Sequence, residues 1–391
     1  MKKAQSNNRG MIIRKELSQY YTTPDLGKEL ISLIPAEHVV NSIIDLGAGE
    51  GALLISACDR YSRASIYGID IDPENIDIIK SSHPGYNIFQ GDSTQDKTIK
   101  KVRSLCYGFD LVIGNPPFKD MLITDDIRVN IEGLGFSKNQ VQVRSELIFL
   151  MNGLKLLNDN GILAYILPDG FLTNINFITV REFICKNFQI LNVREVPAGT
   201  FSGTEAKTHI LVIKKSSPQF GVVVTKMGMA DRSINITEDC FIKRGDYSFY
   251  SQPKSISFDS LRTINAILIR GRESKSDGIN NMLHTTSFKS QYNEFRLNNN
   301  DDIHDSRVAK PGDIIIPRVG TRCLGKLGVI RSGYFRITDC LIIIRIDDNI
   351  LREKVINSLK SDFGINWIKS TAKGVGAKHI TLSDLKSFPI I

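Results

Sequence analysis

The stretch Ser42–Leu54, SIIDLGAGEGALL, decides the fold. A short apolar run ends at Asp45, glycines stand at 47, 49 and 51, and an apolar segment on helical spacing follows. This pattern reads as a buried strand, a tight turn and a helix start. The glycines remove the Cβ atoms that would hold a ligand away from the backbone. Their spacing is G-x-G-x-G, not the G-x-G-x-x-G that seats a pyrophosphate on a helix N-terminus.

Working outward, strand-like and helix-like segments alternate. Strands are predicted over 40–46, 65–71, 86–90, 109–113, 161–167, 191–196 and 208–214, and helices over 51–60, 73–80, 145–157 and 180–187, with Asn158–Gly161 ending the third of these. Such alternation implies an α/β, Rossmann-like, mostly parallel sheet with helices on both faces. The last two strands, joined by a short connection, are expected to pair antiparallel at the sheet edge. A Ser-Ser-Pro break in KKSSPQFG (214–221) places a domain boundary between 215 and 216. Short β-rich segments divided by Gly- and Asn-rich loops follow it, with helices predicted over 351–359 and 363–368, so a mixed α+β domain is expected for 216–391.

Ligands of parallel α/β sheets bind at the carboxyl ends of the strands. The first strand ends at Asp45, before Gly47, Ala48, Gly49 and Gly51. The second ends at Asp70 and Ile71, 21 residues beyond Gly49, where an acid can accept from ribose hydroxyls. The third ends at Asp92 and Ser93. The fourth, 109–113, opens the stretch Phe109–Asp120, FDLVIGNPPFKD. Its two adjacent prolines fix two φ angles, and Asn115, preceding a proline, is pushed to an extended conformation. A rigid turn thus stands beside three cofactor-type strand ends.

With these motifs, and with QYYTTPDL (19–26) ahead of them, the chain resembles the class I S-adenosylmethionine-dependent methyltransferases. Within them it resembles the gamma-class DNA adenine-N6 methyltransferases over residues 18–215. Phe118 stands where that family prefers Tyr, which keeps a stacking face and loses a hydroxyl. The resemblance implies S-adenosylmethionine as cofactor, held by Thr23, Pro24, Asp45, Gly47, Ala48, Gly49, Gly51, Asp70, Ile71, Asp92 and Ser93. It implies a catalytic motif of Asn115, Pro116, Pro117 and Phe118. An adenine amine is a poor nucleophile because its lone pair is delocalised into the ring. The side-chain oxygen of Asn115 and the carbonyl of Pro116 can accept its two N–H bonds, provided both are preorganised. The base must leave the duplex to reach them. Phe118 and Phe201, the latter in VPAGTFSGTEAKT (196–208), are the expected stacking rings. Residues 119–144, polar and glycine-rich, read as a loop that closes on DNA.

In the C-terminal part, AKPGDIIIPRVGTRCLGKLGVI (309–330) and TAKGVGAKHITLSDLKSFPI (371–390) resemble target-recognition domains of type I restriction specificity subunits. Arg318, Arg322, Lys326, Arg331 and Arg336 are the expected DNA contacts. Charge agrees with this division. Residues 1–215 hold 24 Lys and Arg against 24 Asp and Glu, whereas 216–391 hold 26 against 18. A neutral half joined to a basic half suits chemistry in one and polyanion binding in the other.

The six cysteines lie far apart in the sequence and form no C-x-x-C motif, so buried thiols are expected and no metal site. No apolar stretch reaches membrane-span length and no signal-peptide core follows the basic start, so a cytoplasmic protein with no membrane partner is expected. The function these features imply is site-specific methylation of DNA adenine N6 in a restriction-modification or defence system. Double-stranded DNA is the expected partner, the chain is expected to be a monomer, and a partner endonuclease would do any cutting. Methylation of a structured RNA base or a protein glutamine amide, which uses similar Asn-Pro-Pro motifs, and a catalytically silent DNA-binding module are the alternatives.

Overall fold

The computed structural model describes residues 22–132, 134–136, 139–200, 207–229, 232–252, 259–272, 281–298, 307–374 and 377–391. It comprises two compact units, residues 1–247 and 248–391.

The strands of the first unit are β1 (Ser42–Asp45), β2 (Ser65–Asp70), β3 (Asn87–Gln90), β4 (Phe109–Gly114), β5 (Asp120–Leu122), β6 (Gln142–Arg144), β7 (Leu157–Pro168), β8 (Gln189–Val196), β9 (Thr208–Lys214), β10 (Val222–Lys226) and β11 (Ser233–Ile236). Nine of them form one sheet in the order β11-β10-β8-β9-β7-β4-β1-β2-β3. From β3 to β7 the pairs are parallel, and the strand order reverses between β1 and β4. That reversal is the switch point at which open α/β sheets bind ligands. β9 runs antiparallel between β7 and β8, so the sheet is Rossmann-like and mostly parallel, with β9 reversed inside it.

The side chains alternate across the sheet as the pleat requires. Ile43, Ile66, Leu111, Ile113, Ile162 and Ala164 join a core with Leu26 and Leu30 of the helix Pro24–Ser32 and Leu54 and Ala57 of the helix Ala52–Arg60. On the opposite face the helix Ser145–Leu156 is buried almost all round, and its Gly153 approaches Leu163 and Tyr165 too closely to admit a Cβ. The Tyr165 hydroxyl donates to the Phe149 carbonyl, 3.3 Å away, tying that helix to β7.

The structure departs from the sequence expectations in four places. The β8–β9 pair is antiparallel but internal, because β10 pairs parallel to β8 and β11 extends the sheet beyond it. Val222 and Val224 are buried in this sheet, so the break between units falls after Tyr247 and not at 215/216. The excess of eight positive charges still lies wholly beyond that break, since residues 248–391 hold 22 Lys and Arg against 14 Asp and Glu. Asn158–Gly161 ends no helix: the chain passes directly from helix to β7 at Leu157, and these residues form a bulge against β4 with Asn160 at φ 64°. Residues 119–144 are not a plain loop: β5 and β6 pair antiparallel around the helix Asp125–Asn130, with Ile127, Ile131, Leu134 and Val143 buried.

The second unit contains β12 (Ile267–Arg270), β13 (Met282–Leu283), β14 (Tyr292–Arg296), β15 (Ile314–Pro317), β16 (Leu327–Ser332), β17 (Arg336–Ile337) and β18 (Leu341–Arg345). Five of these form a sheet in the order β12-β18-β15-β16-β14, and β13 pairs with β17. Ile314, Ile316, Ile342 and Ile344 pack with Val355, Leu359 and Ile368 of the helices Asn349–Lys360 and Asp362–Thr371. Ile315, Ile330 and Ile343 pack on the other face with Phe288 and Phe335. This is the expected mixed α+β domain, beginning later than expected.

Candidate active site

Strand register puts the expected site residues on one edge. Asp45 at the end of β1 is level with Gly68 on β2 and Ile113 on β4, and Asp70 is level with Gln90 on β3. Asp70, Asn115 and Asp92 therefore all lie within a few residues beyond that level, on the same carboxyl edge. The pocket there is lined by Asp45, Gly47, Ala48, Gly49, Asp70, Ile71, Asp92, Ser93, Asn115 and Pro117, ten of the expected residues.

The glycine turn is held by the two acids. Gly47 N–H donates to Asp45 Oδ1 at 2.9 Å and Gly49 N–H to Asp70 Oδ2 at 2.7 Å. Ala48 N–H donates to the Ile69 carbonyl at 2.8 Å. These amides face protein, so the turn presents a bare surface and not an anion nest. Gly49 and Gly51 have φ of 53° and 90°, a region that favours glycine. Gly51 lies outside the pocket lining: it begins the helix Ala52–Arg60, and a Cβ there would stand 3.2 Å from Ile79.

Asp70 also accepts from Asp72 N–H at 2.8 Å and from the Asn75 side chain at 3.2 Å. Three donors on a carboxylate with about four lone-pair positions leave room for one more. Asp45 is 1% exposed. Burial pushes its carboxyl up to about 7, against the Gly47 N–H that stabilises the anion and with the neighbouring Asp70 that disfavours it. Asp92 accepts from Thr94 N–H at 2.9 Å and Thr94 Oγ1 at 2.6 Å, a turn that fixes the β3 end. Ser93 Oγ donates to the Leu46 carbonyl at 2.6 Å and links the ends of β1 and β3.

Asn115 extends from β4, and its Nδ2 donates to Thr22 Oγ1 at 3.1 Å. Pro116 and Phe118 follow in the same turn without lining the pocket themselves. Ser145, fully buried at the start of its helix, braces the turn. Its hydroxyl donates to the Pro117 carbonyl and accepts from Lys119 N–H at 3.1 Å, while its own N–H donates to the Lys119 carbonyl at 2.9 Å. Thr23 and Pro24 also lie outside the lining: Thr23 caps the helix Pro24–Ser32, accepting from Leu26 N–H at 3.4 Å, with Pro24 at its first position. The neighbouring Thr22 takes the place in the site expected of Thr23.

Sequence reasoning missed Thr22, Glu50, Thr94, Lys119, Met121 and Phe149 on the lining, and Ser145 behind it. Phe149 reads as one more apolar residue of a buried helix, and only tertiary packing turns it to the pocket. Phe201 lies outside the described residues. The strands on either side of its connection are joined by Lys207, whose ammonium is 3.3 Å from Asp169, 3.1 Å from Glu195 and 3.4 Å from Asp246. Burial alone would push the Lys207 ammonium down, but these carboxylates hold it above the usual lysine value.

The five expected basic residues of the second unit do not form one patch. β15 and β16 run antiparallel with Ile314 opposite Val329. Arg318 beyond the end of β15 and Arg331 near the end of β16 are thus at opposite ends of the sheet. Arg331 donates to Glu294 and to the Tyr292 hydroxyl, each at 2.9 Å, and Lys326 Nζ donates to the Phe288 carbonyl at 3.0 Å. Arg318 Nε donates to the Asp339 carbonyl at 3.0 Å. Arg322 and Arg336 are exposed.

Residues 11–288 match the family model described as N-6 DNA Methylase. The chain belongs to this family. It is 23% identical over 299 residues to the type I restriction enzyme MpnII methylase subunit of Mycoplasma pneumoniae, a match covering 67% of this chain and 54% of that one. It is 28% identical over 176 residues to the tRNA1(Val) (adenine(37)-N6)-methyltransferase of Flavobacterium johnsoniae, covering 44% of this chain and 71% of that one. The structure of the type IIG restriction endonuclease BpuSI superposes with a TM-score of 0.51 at 14% identity, over 95% of this chain and 58% of that one, a likeness of fold. This member of the N-6 DNA methylase family spans about half the length of the restriction-modification relatives it matches.

Proposed function

We propose that the chain methylates the N6 amine of adenine in double-stranded DNA, with S-adenosylmethionine as methyl donor. The observation that carries the reading is the single carboxyl edge of the sheet. It joins the acids Asp45, Asp70 and Asp92 and the bare glycine turn to Asn115 and Pro117 in one pocket. Those residues suit the cofactor. The acidic lining complements a cation, Asp70 has one acceptor position for a hydroxyl, and Gly47 leaves the Phe149 ring open, where a Cβ would stand 3.4 Å from it. Gly47, Ala48, Gly49, Asp70, Ile71, Asp92 and Ser93 would hold the cofactor. Bound there, it supplies a methyl group on a sulfonium, a good leaving group, so no covalent enzyme intermediate is needed.

The protein's part is to orient the amine. With Asn115 Nδ2 donating to Thr22, the Oδ1 of Asn115 is the acceptor, and the Pro116 carbonyl is a second. Ser145 and the two prolines hold them still. Phe118, and Phe201 beyond the described residues, would stack on the extruded base, and stacking recovers about 1–3 kcal/mol of the extrusion cost.

The basic second unit is the reader of the DNA site in this proposal, and Arg318, Arg322 and Arg336 are its candidate contacts. The chain would act in the cytoplasm as a monomer, in a restriction-modification or defence system whose nuclease is a separate partner. RNA is the second reading, favoured by the match to the tRNA adenine-N6 methyltransferase.

Modification-sensitive sequencing of DNA and RNA from cells expressing the wild type or Asn115→Ala tests both. Methyladenine in one DNA context, absent with the variant, is the expected result. Methylated RNA with unmodified DNA would move the substrate to RNA, and no new methyladenine in either would refute the proposal.

A further inference from the structure

Among the described residues that line the pocket, four are carboxylic acids, Asp45, Glu50, Asp70 and Asp92, and Lys119 is the one base. The acids follow β1, β2 and β3, whereas Lys119 follows β4, so the charges divide along the sheet edge. Lys119 Nζ makes no hydrogen bond or ion pair with a described residue, although its backbone is fixed at both N–H and C=O by Ser145. The nearby acids do not neutralise it: Arg144 bridges Asp120 at 3.6 Å and Glu146 at 3.0 Å. A lysine with an anchored backbone that lines a pocket for a cationic cofactor has the wrong sign for the sulfonium. Its field favours a ligand anion, and charge-assisted bonds of this kind are the strong ones.

We propose that Lys119 is an anion seat on the β4 side of the pocket, binding one anionic oxygen group of a ligand. Resting on the methyltransferase reading above, two groups fit: the carboxylate of the cofactor's amino-acid portion, or the phosphate of the nucleotide that carries the target amine. Both present an anionic oxygen to an ammonium donor.

The test compares the full-length wild type with Lys119→Met, which keeps the stem, and Lys119→Arg, which keeps the charge. Calorimetry gives the Kd of S-adenosylmethionine and of 5′-methylthioadenosine, which lacks the carboxylate. Fluorescence anisotropy gives the Kd of a fluorescein-labelled duplex at several salt concentrations in the presence of S-adenosylhomocysteine.

Lys119→Met is expected to weaken one ligand about tenfold, with affinity restored by Lys119→Arg. Weaker S-adenosylmethionine binding with unchanged methylthioadenosine binding assigns the seat to the carboxylate. Weaker DNA binding, with a salt slope shallower by about one unit, assigns it to a phosphate. Unchanged affinity for all three ligands overturns the seat. So does equal weakening of S-adenosylmethionine and methylthioadenosine, which would mean a damaged pocket. A wild type that binds neither cofactor nor DNA refutes the methyltransferase reading instead, before any variant is measured.

Discussion

Replacing Ser145 with Ala removes the brace behind Asn115–Phe118 without touching the pocket lining. The hydroxyl makes two hydrogen bonds, to the Pro117 carbonyl and from Lys119 N–H. Each contributes about 1 kcal/mol net, and an unsatisfied buried group adds a penalty of about 1–3 kcal/mol. Ser145 is fully buried, while Pro117 and Lys119 are partly exposed and can recover some solvation. A loss of about 2 kcal/mol in unfolding free energy is therefore expected, read by urea titration. The bond between Ser145 N–H and the Lys119 carbonyl survives, so the turn loosens without detaching. A misplacement of about 1 Å between an acceptor and a reacting amine costs roughly 100-fold in rate. Transfer of labelled methyl to unmodified DNA should show kcat falling by about 10- to 100-fold with cofactor Kd unchanged. A kcat within twofold of wild type, with the expected stability loss, would show that the prolines alone hold the acceptors and would refute the bracing role.

Asp45 is expected to make cofactor affinity depend on pH. Its carboxyl ionises near 7, and the ionised form favours a cationic ligand. Affinity should rise from pH 6 to 8 by at most about tenfold per unit below 7, and calorimetry on Asp45→Asn should give a flat profile. The same shift makes ionisation unfavourable to folding. Between pH 4 and 7 the unfolded chain has lost a proton that the native state keeps, so stability should fall as pH rises through this window, and less so in Asp45→Asn. A chain ending at Tyr247 should fold and bind cofactor, whereas one ending at Lys215 loses β10 and β11, bares the edge of β8 and should aggregate. The chain ending at Tyr247 should also lose most of the salt-dependent DNA affinity, since the positive excess lies in 248–391; an unchanged salt slope would locate the DNA reader elsewhere.

Local chemistry explains what was legible. The turn after β1 needs glycines and a strand end needs apolar residues, so Asp45, Gly47, Asp70, Asp92 and Asn115 can be placed in chain order on one edge. Neighbouring positions are harder. Thr22 and Thr23 are adjacent threonines before a proline, and helix capping claims the second while Asn115 claims the first. Arg318 and Arg331 stand 13 residues apart in the sequence, yet the antiparallel pairing of β15 and β16 carries them to opposite ends of the sheet.

The sequence by itself determined seven of the nine strands of the first unit's sheet, the carboxyl edge that carries the pocket and the stiffness of Asn115–Phe118. Period, glycine and proline are properties of a few consecutive residues. Only the tertiary structure decided where the first unit ends, because the valines of β10 would suit either unit and pair with β8, whose partner residues lie 31 positions back in the chain. It alone showed that Asp70 holds Gly49, that Ser145 braces Pro117 and that Lys119 lines an acidic pocket. Each of those contacts joins residues more than 20 positions apart or depends on which way a side chain turns, and neither is encoded in local spacing.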